Sequence, residues 1–268
     1  MPHFVASDNT ALHYYDGGAG RPVVLIAGYG APADSWALQW AALRAAGHRV
    51  VSFDRRWHGR SDRPARGHRI ARHGKDLHDL LAHLDLDDVT VVGSSMGASA
   101  IWAYVSLFGC ERLAGIVTVD QTPKMINSAD WPYGFYGLTA DNLGTFFLHP
   151  TAVNTGHGRA WPDQAATDAR IRRAGGQGMS RLITPDTYPL LFDHACQDWR
   201  DTVAGITVPA LILAGADSQF WPAEHATATA MSSPLARAVV VPGAGHPAHL
   251  DQPETVARHL VEFTAATA

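Results

Sequence analysis

Cysteine is almost absent: Cys110 and Cys196 are the only two thiols in 268 residues. So sparse a set rules out a disulfide scaffold, and with no CxxC pair it fits a reducing compartment. A surplus of charge of one sign is missing too. The formal net charge is −4, with acids and bases interspersed, so no global field favours nucleic acid or an anionic membrane. The densest basic stretch, "DRRWHGRSDRPARGHRIARHGK" from Asp54 to Lys75, reads as a solvated loop. No apolar run is long enough to span a bilayer, and the start "MPHFVASDNT" lacks the basic segment and apolar core of a signal peptide. No repeat or low-complexity tract is visible. The expectation is a cytoplasmic protein acting on a small molecule, without nucleic-acid or membrane partners; its oligomeric state is not legible.

What is present is apolar mass, 46% of the chain, enough to bury a large core. Six short β-branched runs recur, each ending in Gly or Asp: Arg21 to Gly28, Arg49 to Asp54, Asp88 to Gly93, Leu113 to Asp120, Val208 to Gly215 and Ala236 to Gly243. Such continuous runs suit strands covered on both faces. Helical spacing separates most of them; Leu77, Leu80, Leu81 and Leu84 fall on one face. The alternation predicts an α/β protein with a mostly parallel, doubly wound sheet, preceded by an antiparallel hairpin at "FVAS" and "ALHYYDGG". Residues 1–120 and 201–268 form this core. Residues 121–200, rich in Gly, Pro and aromatics, carry no convincing strand and are too many for a loop, which predicts an inserted, mainly helical cap over the strand ends.

Within "VVGSSMGASA" a strand meets a helix at Gly93-Ser94-Ser95-Met96-Gly97. Roughly 0.1 chance matches to G-x-S-x-G are expected at this composition, so the context carries the signal. Strand, sharp turn and helix are what a nucleophile elbow requires, with Ser95 as nucleophile and Ser94 as spacer.

With "GSSMG", the chain carries "LIAGYG" after the third strand, "DRRWHGRSD" after the fourth and "GAGHPAHLDQPE" after the last. Together these resemble enzymes of the α/β-hydrolase fold over nearly the whole chain outside the cap. Two departures stand out: Ala27 precedes Gly28 where a His is usual, and Trp57 replaces the first glycine of D-x-R-G-x-G-x-S. The resemblance implies a carboxylic ester hydrolase with a Ser-His-Asp triad, needing neither cofactor nor metal. It points to His246 as the base. The acid has two candidates. Asp120 ends the strand after the elbow helix, a site used in some branches of the fold. Asp217 lies near the commoner site, but one residue out of register, with Ser218 at the acid's position. Asp120 is favoured. The oxyanion donors are expected to be the amides of Met96 and Tyr29.

The aromatics Trp131, Tyr133, Trp161, Phe220 and Trp221 suggest an apolar pocket. The reading is a serine hydrolase cleaving a small, largely apolar ester or lactone through an acyl-enzyme; thioesters and carbon–carbon bonds lie within the fold's repertoire. The alternatives are a cofactor-independent oxygenase or perhydrolase of the same fold, or a small-molecule receptor built on it.

Overall fold

The computed structural model describes residues 2–147, 154–178 and 183–267. The apolar runs form strands: β1 (His3–Val5), β2 (Ala11–Gly17), β3 (Pro22–Ile26), β4 (Arg49–Phe53), β5 (Val89–Ser94), β6 (Leu113–Val119), β7 (Ala210–Gly215) and β8 (Ala236–Val241). They make one sheet in the order β1-β2-β4-β3-β5-β6-β7-β8, antiparallel at β1, β2 and β4 and parallel from β4 onward. This is the doubly wound sheet expected from the alternating pattern.

Both faces are covered, which is why the strands read as continuous apolar runs rather than alternating ones. Alternate side chains divide between two cores. Val24, Ile26, Val51, Val91 and Ile116 pack with Leu77, Leu80 and Leu81 of α2 (Ile70–His83) and Ile101 and Trp102 of α3 (Met96–Phe108) on one side. Val23, Leu25, Val50, Val92, Val117 and Leu211 pack on the other with Leu43 of α1 (Ala37–Ala45) and Leu260 and Phe263 of the C-terminal helix. Leu77, Leu80 and Leu81 are fully buried, the inward stripe that their spacing predicts.

Between β6 and β7 the described residues hold four short helices, α4 (Leu143–Phe146), α5 (Gln164–Arg173), α6 (Tyr188–Ala195) and α7 (Arg200–Ala204). The expected 121–200 cap includes 148–153 and 179–182, which lie outside the described residues. Its first third is less helical than the pattern suggests. There Asn127 acts as a backbone surrogate: its Nδ2 donates to the carbonyls of Phe135 (2.6 Å) and Leu138 (2.9 Å), and its Oδ1 accepts from the Gly134 amide (3.0 Å). Met125, Phe135, Leu138 and Phe147 then pack against Trp221 from beyond β7. The chain ends with α8 (Glu224–Ala230), α9 (Ala248–Asp251) and α10 (Pro253–Ala266). Among the described residues no helix is long and apolar enough to cross a membrane.

Candidate active site

Ser95 joins β5 to α3 with φ 53° and ψ −129°, a conformation costly for a residue with a Cβ and typical of strained functional turns. The turn is held by the Ser95 amide donating to Val119 O (2.9 Å) and by Ser95 O accepting from the Ala98 amide (2.8 Å). The flanking glycines are sterically obligatory. A Cβ on Gly93 would come within 2.5 Å of Gly97 C and Ala98 N, and one on Gly97 within 2.3 Å of Ile26 O. Ser95 itself remains partly accessible while Ser94 is buried.

Asp120, at the end of β6, also has a positive φ, 51°, and its amide donates to Leu213 O (2.7 Å). Its carboxylate is fully buried and receives four donors. Oδ1 accepts from the Gly215 amide (2.8 Å); Oδ2 accepts from Ser218 Oγ (2.7 Å), Trp221 Nε1 (3.1 Å) and His246 Nδ1 (2.7 Å). Because a carboxylate only accepts, the His246 bond fixes the proton on Nδ1 and leaves Nε2 free to accept. A second imidazole, His225, is buried with Nε2 3.8 Å from Oδ1. Burial alone would raise the Asp120 pKa, but the imidazoles of His225 and His246 outweigh it and lower it to about 2.

Asp217 is exposed; its main chain, not its carboxylate, joins the neighbouring loops, accepting from the Arg159 amide (3.0 Å) and donating to Ala244 O (2.8 Å). The hydroxyl of Ser218 meets the carboxylate supplied by Asp120. This chain thus brings a carboxylate from the end of β6 and a hydroxyl from the loop after β7 together at Asp120 Oδ2, beside His246 Nδ1.

The loop carrying His246 is fastened independently. The His246 amide donates to Gln219 Oε1 (2.7 Å) and the Gly245 amide to Asp251 Oδ2 (2.7 Å). The Phe220 and Trp221 rings lie 4.3 and 5.2 Å from the imidazole, centroid to centroid, shielding it from water.

The amides of Tyr29 and Met96 donate to no main-chain carbonyl among the described residues. Met96 opens α3, where the first amides of a helix lack intrahelical acceptors. Gly28 packs on the nucleophile: a Cβ there would lie 3.0 Å from Ser95 Cβ. The Tyr29 hydroxyl reaches across to Thr187 Oγ1 (2.6 Å). The other departure, Trp57, sits at φ 69° where a glycine would be relaxed, anchored by Nε1 donating to Pro64 O (2.8 Å).

Ser95 and His246 open onto a cavity of about 290 Å³, walled mostly by apolar side chains that include Met125, Phe135, Phe147 and Leu191. Of the aromatics expected there, Trp161, Phe220 and Trp221 line it. Trp131 and Tyr133 do not. Trp131 is turned away into the base of the cap: Nε1 donates to Thr122 Oγ1 and Lys124 O (both 3.1 Å), the Arg200 guanidinium covers the ring, and Tyr133 packs edge-on against it. Aromatic clustering alone could not distinguish a wall residue from a cap-stapling one. Sequence reasoning also missed His194, a cavity-lining histidine on α6. Burial above all, and then the nearby Arg55 charge, lowers its pKa to about 3, so it is a neutral polar group in an apolar wall.

A profile described as "Alpha/beta hydrolase family" matches residues 23–259. A non-heme haloperoxidase of Rhodococcus erythropolis is 31% identical, over 98% of this chain and 99% of that protein. A bifunctional esterase/perhydrolase of Acinetobacter calcoaceticus is 25% identical over 98% and 99%. The crystal structure of a bromoperoxidase from Bacillus anthracis aligns with a TM-score of 0.82 and 26% identity, covering 98% of this chain and all (100%) of that one.

Proposed function

The chain belongs to the alpha/beta hydrolase family, and from that premise we propose that it is a serine hydrolase cleaving small, largely apolar esters or lactones through an acyl-enzyme. The observation that supports this most is the Asp120–His246 pair, whose 2.7 Å bond puts the imidazole in the tautomer needed by a neighbouring nucleophile, beside a strained Ser95 in one cavity. In this reading Ser95 Oγ attacks the carbonyl carbon and His246 Nε2 takes its proton. Charge on the carbonyl oxygen is received by the amides of Tyr29 and Met96. Collapse expels the alcohol with the proton held by His246, and water then repeats the sequence on the acyl-enzyme. The apolar walls and a volume of about 290 Å³ favour compact, uncharged acyl groups.

A second acceptor is supported by the names of the relatives, one a haloperoxidase and one an esterase/perhydrolase. Hydrogen peroxide attacking the same acyl-enzyme would release a peracid and regenerate Ser95. The test is intact mass after treatment with a fluorophosphonate, followed by ester and lactone panels with and without peroxide. Labelling at Ser95 that Ser95→Ala removes is expected. Turnover that survives Ser95→Ala would sink the acyl-enzyme reading.

A further inference from the structure

Arg55 lies just past β4, completely buried, and among the described residues no carboxylate is in contact with it. Its neighbour Arg56 takes the nearby acids, donating to Asp76 (2.6 and 2.8 Å) and Asp8 (2.9 and 3.2 Å). Arg55 instead ends on neutral acceptors. Nε donates to Ala27 O (3.0 Å) and Nη2 to Gly28 O (2.8 Å), while Nη1 meets His73 Nδ1 and Nη2 meets His58 Nε2, both at 3.1 Å. Burial, reinforced by the Arg55 charge, keeps both imidazoles well below their ordinary range, so neither competes as a cation. Burial also pulls the guanidinium down to about 9, which leaves it protonated at neutral pH. A buried cation is costly unless something recovers the cost.

The two carbonyls it grips belong to the loop that carries the candidate oxyanion donor. Gly28 C=O and Tyr29 N–H are two ends of one peptide plane, and in a trans peptide they point in opposite directions. Arg55 Nη2, together with the Ala31 amide (3.2 Å), holds the Gly28 carbonyl and so turns the Tyr29 amide the other way, while Nε holds the preceding carbonyl of Ala27. The same plane abuts the nucleophile, since a Cβ on Gly28 would lie 3.5 Å from Ser95 Oγ. A full charge on the carbonyl side also polarises the peptide and strengthens its N–H as a donor, more so in a dry interior.

We propose that Arg55 is the positioning residue of the oxyanion site, holding and polarising the 28–29 peptide whose N–H receives the charge developing on the substrate oxygen. This rests on the acyl-transfer reading of Ser95. A merely structural arginine, stapling β4 to the loop after β3, would affect folding and leave the chemical step alone.

The experiment compares Arg55→Met and Arg55→Lys in the full chain. The readouts are kcat and KM separately on p-nitrophenyl acetate, the inhibition constant of a trifluoromethyl ketone whose serine adduct carries an oxyanion, and Tm. Losing one oxyanion donor outright costs about 10²–10³ in kcat; a group acting through such a donor is expected to cost about 10- to 100-fold. Arg55→Met should therefore lower kcat by that factor with KM within about threefold, and weaken the ketone in parallel. Arg55→Lys, keeping the charge but not the fork, should fall between. A folded Arg55→Met enzyme with kcat within about threefold of wild type, or with undiminished ketone affinity, overturns the proposal. If Arg55→Met does not fold, Arg55→Lys decides: loss of both kcat and ketone affinity supports the proposal, and wild-type values for both overturn it. Fluorophosphonate labelling of the wild type separates the two ideas. No labelling sinks the acyl-enzyme reading and this proposal with it, whereas normal labelling with unchanged Arg55→Met kinetics sinks only the role of Arg55.

Discussion

Asp120→Asn is a sharp probe because each carboxylate oxygen it disturbs has a named donor. The carboxylate accepts from two fixed N–H groups on opposite oxygens, Gly215 N on Oδ1 and Trp221 Nε1 on Oδ2. A carboxamide has only one oxygen. If it keeps the Oδ1 position, its NH2 faces Trp221 Nε1–H and His246 Nδ1. The imidazole must then flip to the tautomer protonated on Nε2, which cannot take the Ser95 proton. If it keeps the Oδ2 position, the tautomer survives but NH2 faces the Gly215 amide. That leaves a buried donor unpaired at a cost of about 1–3 kcal/mol. The serine-protease template puts the wrong tautomer at about 10⁴ in kcat, near 5.5 kcal/mol at about 1.4 kcal/mol per decade. Because the amide can trade one penalty for the other, the expected loss is about 10²- to 10⁴-fold in kcat, with Tm lowered by several degrees. Initial rates on p-nitrophenyl acetate and a thermal melt measure both. Asp217→Asn, altering an exposed carboxylate, should stay within about threefold. The reasoning fails if folded Asp120→Asn keeps kcat within about tenfold of wild type, or if Asp217→Asn suffers the larger loss.

Four further outcomes follow from the same geometry. Ser94→Ala should keep most of its fluorophosphonate labelling and Ser95→Ala none; labelling of Ser95→Ala at the original rate would refute the elbow assignment. Exchanging the acid between strand ends, Asp120→Ser with Ser218→Asp, should recover at least about tenfold in kcat over Asp120→Ser alone; no recovery would mean that the two positions do not converge on one imidazole nitrogen. Trp161→Ala should alter the ester chain-length profile more than Tm, since Trp161 lines the cavity but is 40% exposed, whereas Trp131→Ala should lower Tm and leave the profile alone; the reverse pattern would contradict the placement of the two rings. Because the folded Asp120 carboxyl is held at about 2, below its unfolded value of about 3.9, its stabilisation is present above about pH 4 and is lost as pH falls through about 2. The wild-type advantage in Tm over Asp120→Asn should therefore shrink across that interval; a constant difference would show that the pKa shift is absent.

The sequence by itself determined what depends on neighbours along the chain. Short, continuous β-branched runs suit strands covered on both faces, and alternating them with amphipathic stretches leaves little besides a parallel sheet with helices on each side. The Ser95 turn is nearly as local: Gly93, Ser95 and Gly97 set its backbone within five residues, and Gly93 is required by its chain neighbours Gly97 and Ala98, while Gly97 alone answers to a distant group, Ile26 O on β3. The acid could not be settled that way. Asp120 and Ser218 are separated by 98 positions and Asp120 and His246 by 126, and the order Ser, Asp, His is the same whichever aspartate is chosen. Only the sheet, by putting β6 beside β7, decides which carboxylate faces the imidazole. The same holds for Trp131 and Trp161: one packs against Thr122, Lys124 and Arg200, the other lines the cavity. It holds too for Arg55, which in sequence is one basic residue in a charged stretch. Packing buries it against two carbonyls of another strand's loop, and periodicity carries no signal for where a side chain's donors will end.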